Sequence, residues 1–102
     1  MPSNENSPKW DVALASLAED EYRRKASALR LDDFHQLARE HAIRLDDIME
    51  TIFLLTINQQ WKYLDAEGNE QAIDQETLDG LYVKRRLSEK DLEVFDGTWQ
   101  PK

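Results

Sequence analysis

The segment Arg30-Leu31-Asp32-Asp33-Phe34 returns fourteen residues later as Arg44-Leu45-Asp46-Asp47-Ile48, and this local repeat constrains the fold more than any other feature of the chain. Each copy is built to open a helix. The first Asp can accept backbone N–H bonds at the N-cap, and the second adds negative charge to the first turn, where the helix dipole favours it. Two helix starts so close together imply two short consecutive helices. Phe34, Leu37, Ala38, His41 and Ala42 would form the inward stripe of the first, and Ile48, Met49, Ile52, Phe53 and Leu55 that of the second. Residues 51–57 are rich in β-branched and aromatic side chains and also suit a buried strand. The continuous periodicity favours a helix to about Asn58.

Upstream, residues 1–6 have the composition of a disordered tail. Ser7-Pro8 then suits an N-cap followed by the first helical position. From there Trp10, Leu14, Leu17, Ala18, Tyr22, Ala26 and Leu29 recur at helical steps, which predicts a long first helix. Downstream, Trp61–Leu64 and Glu70–Ile73 flank the turn-forming stretch Asp65–Asn69 and predict a β-hairpin. A helical turn over 74–79 closed by Gly80, a strand over 81–84, and a short helix capped by Ser88 and ended by Gly97 follow. Residues 98–102 read as an exit tail. The expected fold class is α+β and predominantly helical, with three to four helices and a small hairpin, in a single domain over 7–97.

At 102 residues and 40% hydrophobic content, one ordinary core is available. There is no cysteine, so disulfides and thiolate metal sites are excluded and packing alone must hold the fold. The first eight residues lack the order of a signal peptide, and the longest purely apolar run, Ile52–Leu55, is too short to span a bilayer; a cytoplasmic location is expected. The net charge of -8 is unevenly spread. Residues 31–80 hold twelve Asp and Glu against three Lys and Arg, while the two flanks are close to neutral. Such a middle is repelled by phosphate backbones and anionic membranes and suits a basic protein surface. Carboxylates that merely keep the domain soluble are the plainer explanation of the same excess.

Between Leu37 and Ile52, Ala38, Ala42, Ile43, Ile48 and Ile52 stand at the spacings of a helix-turn-helix, and a predicted hairpin follows. This region resembles helix-turn-helix and winged-helix domains over about a sixth to a fifth of the chain. It departs from them at Ala42, where the motif usually has Gly, and at His41, where it usually has an apolar residue. The resemblance implies a DNA-binding regulator whose second helix enters a major groove. Its outward positions would be Arg44, Leu45, Asp46, Asp47, Met49 and Glu50. Half of these are carboxylates, so nucleic acid is disfavoured unless a dimer gathers Arg23, Arg24 and Lys25, or Lys84, Arg85 and Arg86, onto one face.

Asp65, Glu67, Asn69, Gln71 and Glu76 fall at positions one, three, five, seven and twelve of an EF-hand-like calcium loop. The sixth position, which wants Gly for the sharp turn, is Glu70, and a plain hairpin turn explains the same residues. His35 and His41 are six residues apart and point different ways on a helix, so they form no helical metal pair. His41 on the apolar stripe reads as packed, and His35 as solvated. No nucleophile with a partner base and no phosphate-cradling glycine loop is present in the sequence.

These features point to a non-enzymatic protein-interaction module without cofactor. Its expected contacts are Leu45, Asp46, Asp47, Met49, Glu50 and Trp99, with Leu45 at a helix start and Trp99 in a tail as exposed anchors. The expected partner is another protein with a basic surface. A homodimer is also expected, because residues 48–57 hold more apolar positions than two short helices bury locally.

Overall fold

The computed structural model describes residues 10–83 and 86–102. The elements run α1 (Val12–Lys25), α2 (Leu31–Glu40), α3 (Leu45–Ile57), β1 (Trp61–Leu64), β2 (Glu70–Gln71), α4 (Gln75–Gly80), β3 (Tyr82–Val83), β4 (Arg86–Leu87), α5 (Glu89–Leu92) and β5 (Thr98–Pro101). The chain is therefore a predominantly helical α+β fold with a small antiparallel sheet. Ser7-Pro8 and the tail over 1–6 lie outside the described residues, as do Lys84 and Arg85, the first two residues of the basic run over 84–86.

α3 is the centre of the molecule. Ile48, Met49, Thr51, Ile52, Phe53, Leu55 and Thr56 are all buried, and α1, α2, α4 and β1 pack around them. Thr51 and Thr56 are tolerated there because each hydroxyl donates back to a helix carbonyl, of Asp47 and Ile52 respectively, at 2.9 Å. The helix runs through 51–57, since burial on nearly all sides outweighs the β-propensity of its residues. Of the apolar positions on which a homodimer is expected, Ile48, Met49, Ile52, Phe53 and Leu55 are buried within one chain, and Leu54 and Ile57 are half-buried.

The helix starts differ in detail from expectation. Arg30 and Arg44 are the N-caps of α2 and α3, and neither Asp32 nor Asp46 acts as a cap. At α2 it is the second Asp that works, because Asp33 reaches back to accept the Arg30 N–H at 2.7 Å. Asp11 caps α1 by accepting from the Leu14 N–H at 3.1 Å. Asp74 and Ser88 cap α4 and α5 as their sequence positions indicate.

Three helix ends use left-handed residues other than glycine: Ala26 (φ 58°), Ala42 (φ 53°) and Gln59 (φ 66°). After α2, Ile43 N–H donates to the Ala38 carbonyl and Ala42 N–H to that of Arg39. After α3, Gln60 donates to Leu55 and Gln59 to Thr56. Both are Schellman closures, which satisfy carbonyls left open by the helix. The first helix consequently stops at Lys25, short of Leu29, and His41 is solvent-exposed at a helix end instead of packed on the stripe.

The larger sheet has the order β2-β1-β5, and β3 pairs with β4 in a separate two-stranded sheet; all neighbours are antiparallel. The predicted hairpin is β1 and β2. The predicted tail is a strand: β5 pairs with β1 along Trp61–Leu64, and its other side exchanges hydrogen bonds with Leu29. Trp99, expected as an exposed anchor, is 0% exposed. Its ring lies against Phe34, Phe53, Tyr63 and Phe95 at centroid separations of 4.7–6.4 Å. Alternation along β5 sends Trp99 inward once the strand is paired, and a large indole stabilises the centre of so small a core. α5 ends at Leu92 instead of reaching Gly97, and leaves Val94 74% exposed.

Candidate functional site

Asp47, Glu50 and Leu54, at steps of three and four residues, share one partly accessible ridge of α3. Thr51 is itself buried beneath that ridge. With Asp11 and Leu14 from the start of α1, these residues line an open groove of about 230 Å³. Its composition is mixed. Asp11, Asp47 and Glu50 supply carboxylates, and the half-buried Leu14 and Leu54 supply apolar surface. Among the described residues, no cationic side chain forms a salt bridge with any of these three carboxylates.

Glu50 links this groove to a second group of acids. Tyr82 on β3 has its phenol pushed well above the ordinary range, first by burial, then by hydrogen bonding to and the charge of Glu50, and then by the charges of Asp46 and Asp79. Tyr82 therefore stays a hydroxyl donor on the carboxylate-rich side of the protein. Asp46 is partly neutralised: Arg86 Nε lies 3.1 Å from its Oδ2 and Arg44 Nη2 3.3 Å from the same oxygen. That bridge ties β4 to the first turn of α3.

The expected contact residues thus divide. Asp47 is exposed and Glu50 half-buried in one groove. Leu45 is half-buried and packs at the edge of the core. Asp46 is occupied by two arginines. Met49 and Trp99 are 0% exposed and offer nothing to a partner. Met49 belongs to the inward stripe of the helix, as its periodicity indicates, and not to the outward positions that a recognition helix would present, because α3 is central. Asp11, Leu14, Leu54, Asp79 and Tyr82 were missed. Nothing local in the sequence marks them, because α1, α3, α4 and β3 meet only through the tertiary fold.

The calcium-loop positions fold as a hairpin turn. Asp65 Oδ1 accepts from the Glu67 and Asn69 N–H groups at 2.9 and 3.0 Å, and its Oδ2 accepts from Gln71 Nε2 at 2.7 Å. These bonds, that from Asn69 first, hold the Asp65 carboxyl below the usual carboxylate range. Asp65 thus closes the turn as an acceptor, with Gly68 (φ 87°) supplying the left-handed turn residue. No three His, Asp or Glu side chains among the described residues are grouped to hold a metal ion.

A larger groove of about 460 Å³ lies between the hairpin and the end of α3. Two lysines stand in its wall: Lys102, which is engaged with Gln59 and Glu70, and Lys62, which forms no salt bridge among the described residues. Among the described residues no helix is long and apolar enough to cross a membrane. No protein family, curated protein or solved structure gives a significant match to this chain.

Proposed function

We propose that this chain is a non-enzymatic interaction module that presents a carboxylate-rich face to a basic surface of another protein, as an adaptor, inhibitor or anti-regulator. Imitation of the charge of DNA is an extension of the same idea, and the cytoplasm is the proposed place of action. One observation carries the reading: the carboxylates of Asp11, Asp47 and Glu50 gather on one groove, and Asp46 and Asp79 continue the face around Tyr82. Of these five, Asp46 alone has a salt-bridge partner among the described residues. Unneutralised charge of one sign speeds encounter with the opposite sign and selects against like-charged partners.

The test is affinity capture from native extract by the wild-type chain and by the double variant Asp47→Asn with Glu50→Gln, at low and moderate salt. Asp46 is left intact because neutralising it would also break its bridge to Arg86. The reading expects the captured partner to be lost in the variant and to weaken with salt. Binding insensitive to both would contradict it.

A DNA-binding regulator is the second reading. The tight turn between α2 and α3, with Ala42 at φ 53° where helix-turn-helix domains usually carry Gly, favours it. Against it, the outward stripe of α3 offers Asp47 and Glu50 to a phosphate backbone, and most of the helix is buried.

A further inference from the structure

We infer that the groove between α1 and α3 receives one basic, amphipathic helical segment of a partner protein. The inference rests on the acidic-face reading and narrows it to one site and one kind of occupant. The groove lies between the start of α1, which supplies its N-cap Asp11 and first-turn Leu14, and the α3 ridge of Asp47, Glu50 and Leu54 above the buried Thr51. The ridge of a helix beside a groove is a surface onto which an incoming helix packs. Glu50 and Leu54 are one turn apart, about 6 Å along the axis. A complementary segment therefore carries Lys or Arg about one turn from Leu or Ile, so that the cation meets Glu50 and Asp47 while the aliphatic side chain covers Leu54 and Leu14.

Charge selects among occupants. An isologous pairing of two copies through this face would set Asp11, Asp47 and Glu50 against the same residues of the second copy, which is repulsive. A polyphosphate is repelled for the same reason. A bare cation is disfavoured as well, since these carboxylates are not grouped as metal ligands. Asp11 already gives one oxygen to the Leu14 N–H, and Thr51 gives its hydroxyl to the Asp47 carbonyl. What the groove offers a partner is thus carboxylate oxygen and aliphatic surface together, which an amphipathic basic helix matches and a purely cationic chain matches only in part.

The experiment titrates the isotopically labelled full chain with a synthetic Lys/Leu peptide of about four helical turns, patterned for an amphipathic helix, and with a Lys/Ser peptide of equal charge. Binding is read by calorimetry and by backbone amide shifts. Shifts centred on Asp11, Leu14, Asp47, Glu50 and Leu54 are expected, with the Lys/Leu peptide bound at least about tenfold more tightly, equivalent to about 1.4 kcal/mol. Leu54→Ser and, separately, Asp47→Asn with Glu50→Gln should each weaken it about fivefold or more, with the amide spectrum otherwise unchanged. Shifts centred on Glu67, Glu70 and Glu76 would overturn the groove while leaving the acidic reading standing. Equal affinity for the two peptides would likewise remove the aliphatic component and with it this occupant. Failure of both peptides to bind at low salt would overturn the groove and the reading beneath it.

Discussion

Leu29 and Trp99 exchange both of their backbone hydrogen bonds, each at 2.8 Å, and so join the segment between α1 and α2 to the final strand. The indole that this pairing directs inward is fully buried among four other aromatic rings. Trp99→Ala should cost about 3–5 kcal/mol by transfer and cavity formation. A domain of this size has about 5–15 kcal/mol in total, so a large drop in the urea midpoint is expected. A surface tryptophan would give almost no change, and that outcome would remove β5 from the core.

The turn before β5 is sterically fixed. A Cβ on Gly97 would overlap the Leu64 carbonyl oxygen and lie 2.7 Å from the Asp65 carbonyl carbon, and the Gly97 N–H donates to Tyr63 Oη at 3.0 Å. Gly97→Ala should therefore destabilise by about 1–3 kcal/mol. Gly80→Ala is the control, since nothing lies within 4 Å of a Cβ there. It should be neutral or stabilising by up to about 1 kcal/mol, as glycine is a poor helix former. Equal effects in chemical denaturation would contradict the close approach at Gly97.

Left-handed geometry at Ala42 and Gln59 carries a steric cost that glycine lacks. Ala42→Gly and Gln59→Gly should each raise stability by up to about 1 kcal/mol after the entropic cost of glycine is subtracted. The reading is a higher urea midpoint at constant slope. A fall in midpoint at both positions would show that these helices end elsewhere.

The Asp65 carboxyl is held below its ordinary value by hydrogen bonds it accepts in the folded hairpin. Its unfolded value is about 3.9, so the unfolded chain binds the extra proton as pH falls, and stability falls with it. The contribution is complete above the unfolded value and is lost as pH drops through the lowered folded one. Asp65→Asn should lie below wild type in urea midpoint at neutral pH and converge with it as pH falls through the lowered folded value. Calorimetric titration of the wild type with calcium should give no binding heat, because no three carboxylate or imidazole side chains among the described residues are grouped to hold a metal ion. A gap that widens in acid would contradict this assignment.

Because Ile48, Met49, Ile52, Phe53 and Leu55 are buried within one chain, light scattering at micromolar concentration should return the mass of a 12.0 kDa monomer. A stable dimer would mean that another face, outside this core, carries association.

Much of the fold is legible in the sequence because its signals are local. The stripe of α3, the hairpin at 61–71, and the caps Asp74 and Ser88 follow from periodicity and turn chemistry. The end of α1 is not legible, since Ala26 closes it where glycine would have announced a stop. Nor is β5: Thr98–Pro101 looks like a tail until β1 and Leu29 are placed on either side of it. The acidic groove is half legible. Asp47 and Glu50 stand out by charge, whereas Asp11 and Leu14 join them only through the packing of α1 on α3. Met49 misleads, because the outward side of a helix cannot be chosen before its neighbours are known.

The most direct test of the electrostatic account is retention of the folded, full-length chain on immobilised duplex DNA and on heparin at low salt, beside retention on a polycationic peptide surface. The account predicts passage through both polyanions and salt-sensitive retention on the cationic surface. Tight, salt-sensitive binding to the duplex would contradict it and restore the DNA-binding reading.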